Sequence, residues 1–170
     1  MTFVARRAVA LVLVGVLALG TAACGGGAKA EEGERLGRLP ADTLPSRIGD
    51  LDVAQEKLGE GVQNQRRTYL DSVGLFSFRK DELLQATLQI SKFASDAKYK
   101  SRDFRQGILE QIGTTVPRQF RMGPQTVYLT TGKRQNVVIW FKGRYLYVLS
   151  TREEFGQSRA LLRQLLEVDL

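Results

Sequence analysis

Two stretches late in the chain, Val137-Val138-Ile139-Trp140-Phe141 and Tyr145-Leu146-Tyr147-Val148-Leu149, are apolar at every position and are separated only by Lys142-Gly143-Arg144. A strand turns successive side chains to opposite faces, so five apolar residues in a row demand cover on both sides. Gly143 tolerates the positive φ that a tight hairpin turn needs. The chain must therefore place this hairpin in the middle of a sheet and lay material over each face. On that reading Trp140, Phe141, Tyr145 and Tyr147 are core residues and cross-strand pairs, not a ligand platform.

The flanking sequence supplies the other strands and the cover. Gln125 to Thr130 reads as a strand joined to Gln135–Phe141 through Thr131-Gly132-Lys133-Arg134. Upstream, Thr68 to Arg79 and Leu83 to Phe93 flank the polar turn Arg79-Lys80-Asp81-Glu82. In the second of these runs Leu84, Ala86, Leu88 and Ile90 alternate with Gln85, Thr87, Gln89 and Ser91, the period of a strand with one dry and one wet face. Between hairpin and meander, Ser101 stands as a helix cap before Phe104, Ile108 and Ile112, with Gly113 as a stop and Pro117 beyond it. Gly107 inside this helix points to close packing. A second amphipathic helix spans Ser158 to Val168, with a stripe of Leu161, Leu162, Leu165 and Leu166; Thr151-Arg152-Glu153-Glu154 has the form of a capping box that would start it. The segment from Thr43 to Gly61 is open between a short helix over Glu56-Lys57 ending at Gly59 and a short edge strand at Leu51-Asp52-Val53.

The order of elements, two strands, a helix, three strands and a helix, argues an α+β fold. The expected form is an antiparallel sheet of about five or more strands, with one amphipathic helix between the hairpin and the meander and a C-terminal helix packed on the sheet. In element order this is similar to the PsbP-like fold of small extrinsic proteins, and less closely to cystatin-like sheets. The likeness is one of topology alone.

The first two dozen residues carry a different message. Arg6-Arg7 precedes an apolar run, and Ala8 to Ala23 is 16 residues without a charge. That is short of the ~20 needed to cross a bilayer, so a cleaved export signal is the better reading than a permanent span. The residues around Arg6-Arg7 lack the rest of a twin-arginine pattern, which favours the general secretion route. Thr21-Ala22-Ala23-Cys24, followed by Gly25-Gly26-Gly27, resembles the lipobox of bacterial lipoproteins, although Thr21 stands where that family more often has leucine. The resemblance implies that Cys24, the only cysteine, is alkylated with diacylglycerol and becomes the first residue of the mature protein. It covers residues 1–27 only.

The expected organisation is a signal peptide over 1–23, a lipidated cysteine and flexible tether over 24–43, and a single α+β domain over 44–170. From Gly25 to Pro40 the only large apolar residues are Leu36 and Leu39, too few to offset the entropy of ordering. Removing 1–23 takes away two of the 25 basic residues and none of the 18 acidic ones, leaving a net charge of +5. That modest excess suits anionic surfaces and does not call for nucleic acid.

Composition weighs against catalysis. There is no histidine, and the one cysteine is assigned to the anchor, so the common base–nucleophile pairs and transition-metal ligand sets are missing. Asp50-x-Asp52 lacks the remaining ligands of a calcium loop. Ser95-Asp96-Ala97-Lys98 has the Ser-x-x-Lys spacing of penicillin-recognising enzymes without their partner motifs, and Gly132-Lys133 lacks the upstream glycine of a phosphate loop. The candidate binding surface is basic: Lys98, Lys100, Arg102 and Arg105, before and in the first helix. Lys133, Arg134, Lys142 and Arg144 are also basic but sit in consecutive hairpin turns, which a meander places at opposite ends of the sheet, so they do not form one patch. The resulting expectation is a monomeric, non-catalytic module on the extracytoplasmic face of the cell membrane, without cofactor or metal. It would bind an envelope protein or an anionic surface polymer, or else carry or sense an amphipathic ligand.

Overall fold

The structure is a computed structural model that describes residues 35–63, 69–95, 100–112, 116–132, 135–152 and 155–168. The expected signal segment, Cys24, Lys98, the Asp96-Ala97-Lys98 part of the Ser-x-x-Lys match, Lys133-Arg134 and Glu153-Glu154 lie outside them. Within the described residues the chain forms β1 (Gly37–Arg38), β2 (Arg47–Ile48), β3 (Leu51–Gln55), β4 (Leu70–Lys80), β5 (Leu83–Phe93), β6 (Arg118–Met122), β7 (Gln125–Gly132), β8 (Gln135–Lys142) and β9 (Tyr145–Thr151). Two long helices join them, a central helix (Arg102–Ile112) and a C-terminal helix (Phe155–Glu167), with a single turn at Glu60–Gln63. The fold is α+β and mostly sheet.

The strands form one sheet in the order β2-β3-β4-β5-β9-β8-β7-β6, antiparallel throughout except that β1 adds to β4 in parallel. The meander β6 to β9 returns from the far edge, so that β9 pairs with β5 and β8 with β9. The doubly apolar hairpin is therefore central, as its composition requires. The β4–β5 turn carries Asp81 and Glu82 at φ 49° and 66°, both left-handed, matching the twist of the flanking strands.

Alternation then divides the core in two. Phe76, Phe78, Leu88, Ile90, Val138, Trp140, Tyr147 and Leu149 point to one face, where Leu162 and Leu165 of the C-terminal helix and Leu39, Leu44 and Ile48 cover them. Val137, Ile139, Leu146 and Val148 point to the other, against Ile108 and Leu109 of the central helix, with Phe93 and Leu70. The capping residue is confirmed: the Phe104 N–H donates to Ser101 Oγ at 3.3 Å. Trp140 stacks on its cross-strand partner Tyr147, centroids 4.8 Å apart and planes within 5°.

Several expectations change. Residues 37–39, expected within a flexible tether, are docked on the sheet: Gly37–Arg38 pairs with Ser72 and Val73, and Leu39 is buried, its N–H donating to Val73 O at 3.0 Å. Gly74 makes this docking feasible: a Cβ there would stand 2.8 Å from the Phe76 ring and 3.1 Å from Leu39 Cβ. The open segment resolves in favour of the strand, β3, fed by β2 through Gly49 at φ 61°. The expected wet face of β5 is buried; Thr87, Gln89 and Ser91 are enclosed, with Gln89 Nε2 donating to Ser91 Oγ at 3.2 Å. Gln89 and Ser91 pair with Val148 and Leu146 of β9, so they share the face that the central helix covers. Gly107 is open: nothing lies within 4 Å of where its Cβ would be, so close packing is not its reason. Thr151 belongs to β9, its hydroxyl 3.5 Å from Gln85 O, and the C-terminal helix begins at Phe155, so Thr151 is not that helix's cap. The meander also has four strands, not three, because Arg118–Met122 pairs with β7.

Candidate functional site

A cleft of about 460 Å³ opens between the C-terminal helix and the end of the sheet formed by the β6–β7 turn and the close of β8. Its inner side is apolar, with Met122 buried in the main core and Leu166 packed against that core. Its rim is basic. Arg121 comes from β6, Lys142 from the end of β8, and Arg159 and Arg163 from the C-terminal helix, against one carboxylate among the described residues, that of Glu167.

Each wall follows from local sequence. Leu162 and Leu165 direct one stripe of the helix into the core, which leaves Arg159 and Arg163, one turn apart, on the cleft side. Gly123 takes φ 59° ahead of Pro124 and closes the two-residue turn between Met122 and Gln125. The Gln125 amide donates to Phe141 O at 2.7 Å and ties this turn to β8. Lys142 donates its ammonium to Leu166 O at 3.3 Å and Val168 O at 2.8 Å, filling carbonyls that the helix end leaves open and placing a cation at the negative end of its dipole. Lys142 is thus a wall-builder.

The three arginines differ from it. Arg121, Arg159 and Arg163 have no hydrogen-bond or ion-pair partner for their side chains within the described structure, and all three are exposed. Like charges one turn apart on a helix cost roughly 0.2–0.5 kcal/mol. An anion between them would remove that repulsion and accept from two planar guanidinium forks. The described residues lining the cleft are mainly cationic and apolar, an arrangement that suits holding an anion.

Of the basic residues named in the sequence, Lys142 reaches the cleft, and Lys100, Arg102, Arg105 and Arg144 go elsewhere. Lys100 and Arg102 are exposed at the start of the central helix, on the opposite face of the sheet from the cleft. Arg105 is half-buried with its guanidinium carbon 5.8 Å from the Phe141 ring centroid, a cation–π contact. Arg144 is a fastener: its Nε and Nη2 donate to Phe93 O at 3.1 and 2.7 Å, and Phe93 N–H donates back to Arg144 O at 2.8 Å. Asp50 is taken by Lys80, whose ammonium lies 2.6 Å away and holds its carboxyl below the ordinary value. Among the described residues no group of three or more potential metal ligands comes together. The cleft was hidden in the sequence because β6, which carries Arg121, reads as loop, and because Arg159 and Arg163 look like an ordinary solvated helix face.

Comparison of the chain with known protein families, with characterised proteins and with solved structures gives no match.

Proposed function

We propose that the chain is an exported lipoprotein, held on the extracytoplasmic face of the cell membrane through Cys24, and that its domain acts by binding without catalysis. The observation that carries the binding half is the cleft beside the C-terminal helix, in which Arg121, Arg159 and Arg163 have no side-chain partner among the described residues. Its volume, about 460 Å³, falls within the ~300–1,000 Å³ of small-ligand sites. The anchoring half rests on Thr21-Ala22-Ala23-Cys24 and the uncharged run before it. Two acyl chains suffice for stable attachment where one is marginal. A second reading, carriage or sensing of an amphipathic ligand between sheet and helix, is favoured by the apolar floor of Met122 and Leu166 beneath the arginines.

Cys24→Ser is the direct test of the anchor. The variant is expected to leave the membrane fraction or to accumulate as uncut precursor, read by fractionation and intact mass. A wild-type protein whose amino-terminal peptide carries no lipid mass overturns the anchor.

A further inference from the structure

We infer that the cleft is a headgroup site for an anionic, phosphate-bearing membrane lipid, an assignment that rests on the binding reading above and names its ligand. Three properties of the cleft converge on that chemistry. Its cations are guanidiniums, whose planar forks match phosphate oxygens bidentately, and neither Arg159 nor Arg163 is committed to another group in the described structure. Its floor is continuous with the main core through Met122 and Leu166, so apolar matter entering beneath the arginines meets apolar contact. Its size exceeds a phosphate alone: about 460 Å³ is on the order of fifteen waters at ~30 Å³ each, whereas a phosphate has five heavy atoms. A headgroup with the first methylenes of its acyl chains uses both the charge and the floor.

The site is also built before ligand arrives. The turn at Gly123-Pro124 is tied to β8 through Gln125, and Lys142 holds the helix end, so the opposing walls are fixed by hydrogen bonds at 2.7 and 2.8 Å. Preorganisation of this kind lowers the ordering cost of binding. The cations are gathered in a concavity, where a compact headgroup fits better than an extended polyanion, which would need a stripe. Glu167 at the rim is an acceptor for a headgroup hydroxyl and disfavours a second acidic group.

The test uses the full chain with its own anchor in neutral phosphatidylcholine vesicles, and phosphatidylglycerol carrying a photoactivatable group on its acyl chain. Crosslinked peptides are mapped by mass spectrometry. Labelling is expected on the peptides that contain Met122 and Leu166, and roughly tenfold less with photoactivatable phosphatidylcholine or in the Arg159→Gln/Arg163→Gln double variant, the size of one lost charge-assisted hydrogen bond. Arg102→Gln, on the opposite face, is expected to change nothing. The double variant should melt no lower than wild type, because it removes an unpaired like-charge pair.

Equal labelling by the two lipids, or labelling that survives the double variant, overturns the inference. Loss of labelling to soluble glycerol phosphate at a concentration no higher than that of the photolipid also overturns it, since the apolar floor would then add nothing and the site would belong to a free phosphate ester. A water-soluble dihexanoyl form of the photolipid separates the two proposals. If the chain fails to float with vesicles, the anchor is wrong, while labelling of Met122 and Leu166 by the soluble probe still decides the cleft.

Discussion

Glu56 shows how much a single side chain near the sheet edge does. Its carboxylate accepts from Ser77 Oγ at 2.6 Å and from Arg79 Nη2 at 3.2 Å. The serine hydrogen bond holds the carboxyl below its usual 4.5; partial burial pushes the other way, and Arg79 adds to the lowering. A carboxyl with a folded pKa below its unfolded one stabilises the fold above the unfolded value and loses that contribution as pH falls through the folded value. Wild type is therefore expected to lose stability as pH drops below about 4.5, and Glu56→Gln to lose less over the same window. Urea midpoints of the two proteins at neutral pH and at about pH 3 check this; parallel acid limbs would show that Glu56 is not a source of the slope. The side chain is 39% exposed, so screening keeps the effect small. The sequence shows Glu56 only within a segment left open between a short helix and a short edge strand. Its partners, Ser77 and Arg79, lie more than twenty residues away on β4, a distance that no local pattern encodes.

Elements were legible where one face of one segment carried the signal. The central helix announced itself through Ser101 and the spacing of Phe104, Ile108 and Ile112, and the hairpin β4–β5 through two long apolar runs around Asp81-Glu82. β6 stayed hidden because Arg118 and Arg121 interrupt five residues whose burial depends on β7. β1 was beyond reach for a different reason: it is two residues long, parallel, and formed only by docking on β4. Its contribution is still sizeable. Leu39 is buried, its backbone bonds Val73, and Gln55 Nε2 donates to Leu39 O at 2.7 Å. A chain lacking 1–40 is expected to be less stable by about 2–4 kcal/mol than one lacking 1–34, from one buried leucine and its hydrogen bonds. Equal denaturation midpoints for the two shortened chains would place β1 outside the cooperative fold.

At the scale of the whole molecule, one sheet is shared by two cores. Ile139 lies under the central helix and Leu149 under the face covered by the C-terminal helix, and both are fully buried. Ile139→Ala and Leu149→Ala are each expected to cost ~2–5 kcal/mol. Because β8 and β9 serve both faces, either variant should still unfold in one transition, with backbone dichroism and tryptophan emission moving together. Separate transitions would mean that the two layers fold independently. That both faces are covered was readable from Val137–Phe141 alone. The cleft was not, since its cations come from positions 121, 142, 159 and 163 and meet only when a strand edge and the last helix close on each other. The same arrangement sets what light can report. The chain has one tryptophan, and Trp140 is wholly enclosed, its indole N–H without an acceptor among the described residues and its ring stacked on Tyr147. Native emission is therefore expected to be a blue-shifted core signal that aqueous quenchers do not reach. It reports unfolding faithfully, and an event at the basic rim needs a label of its own to be seen.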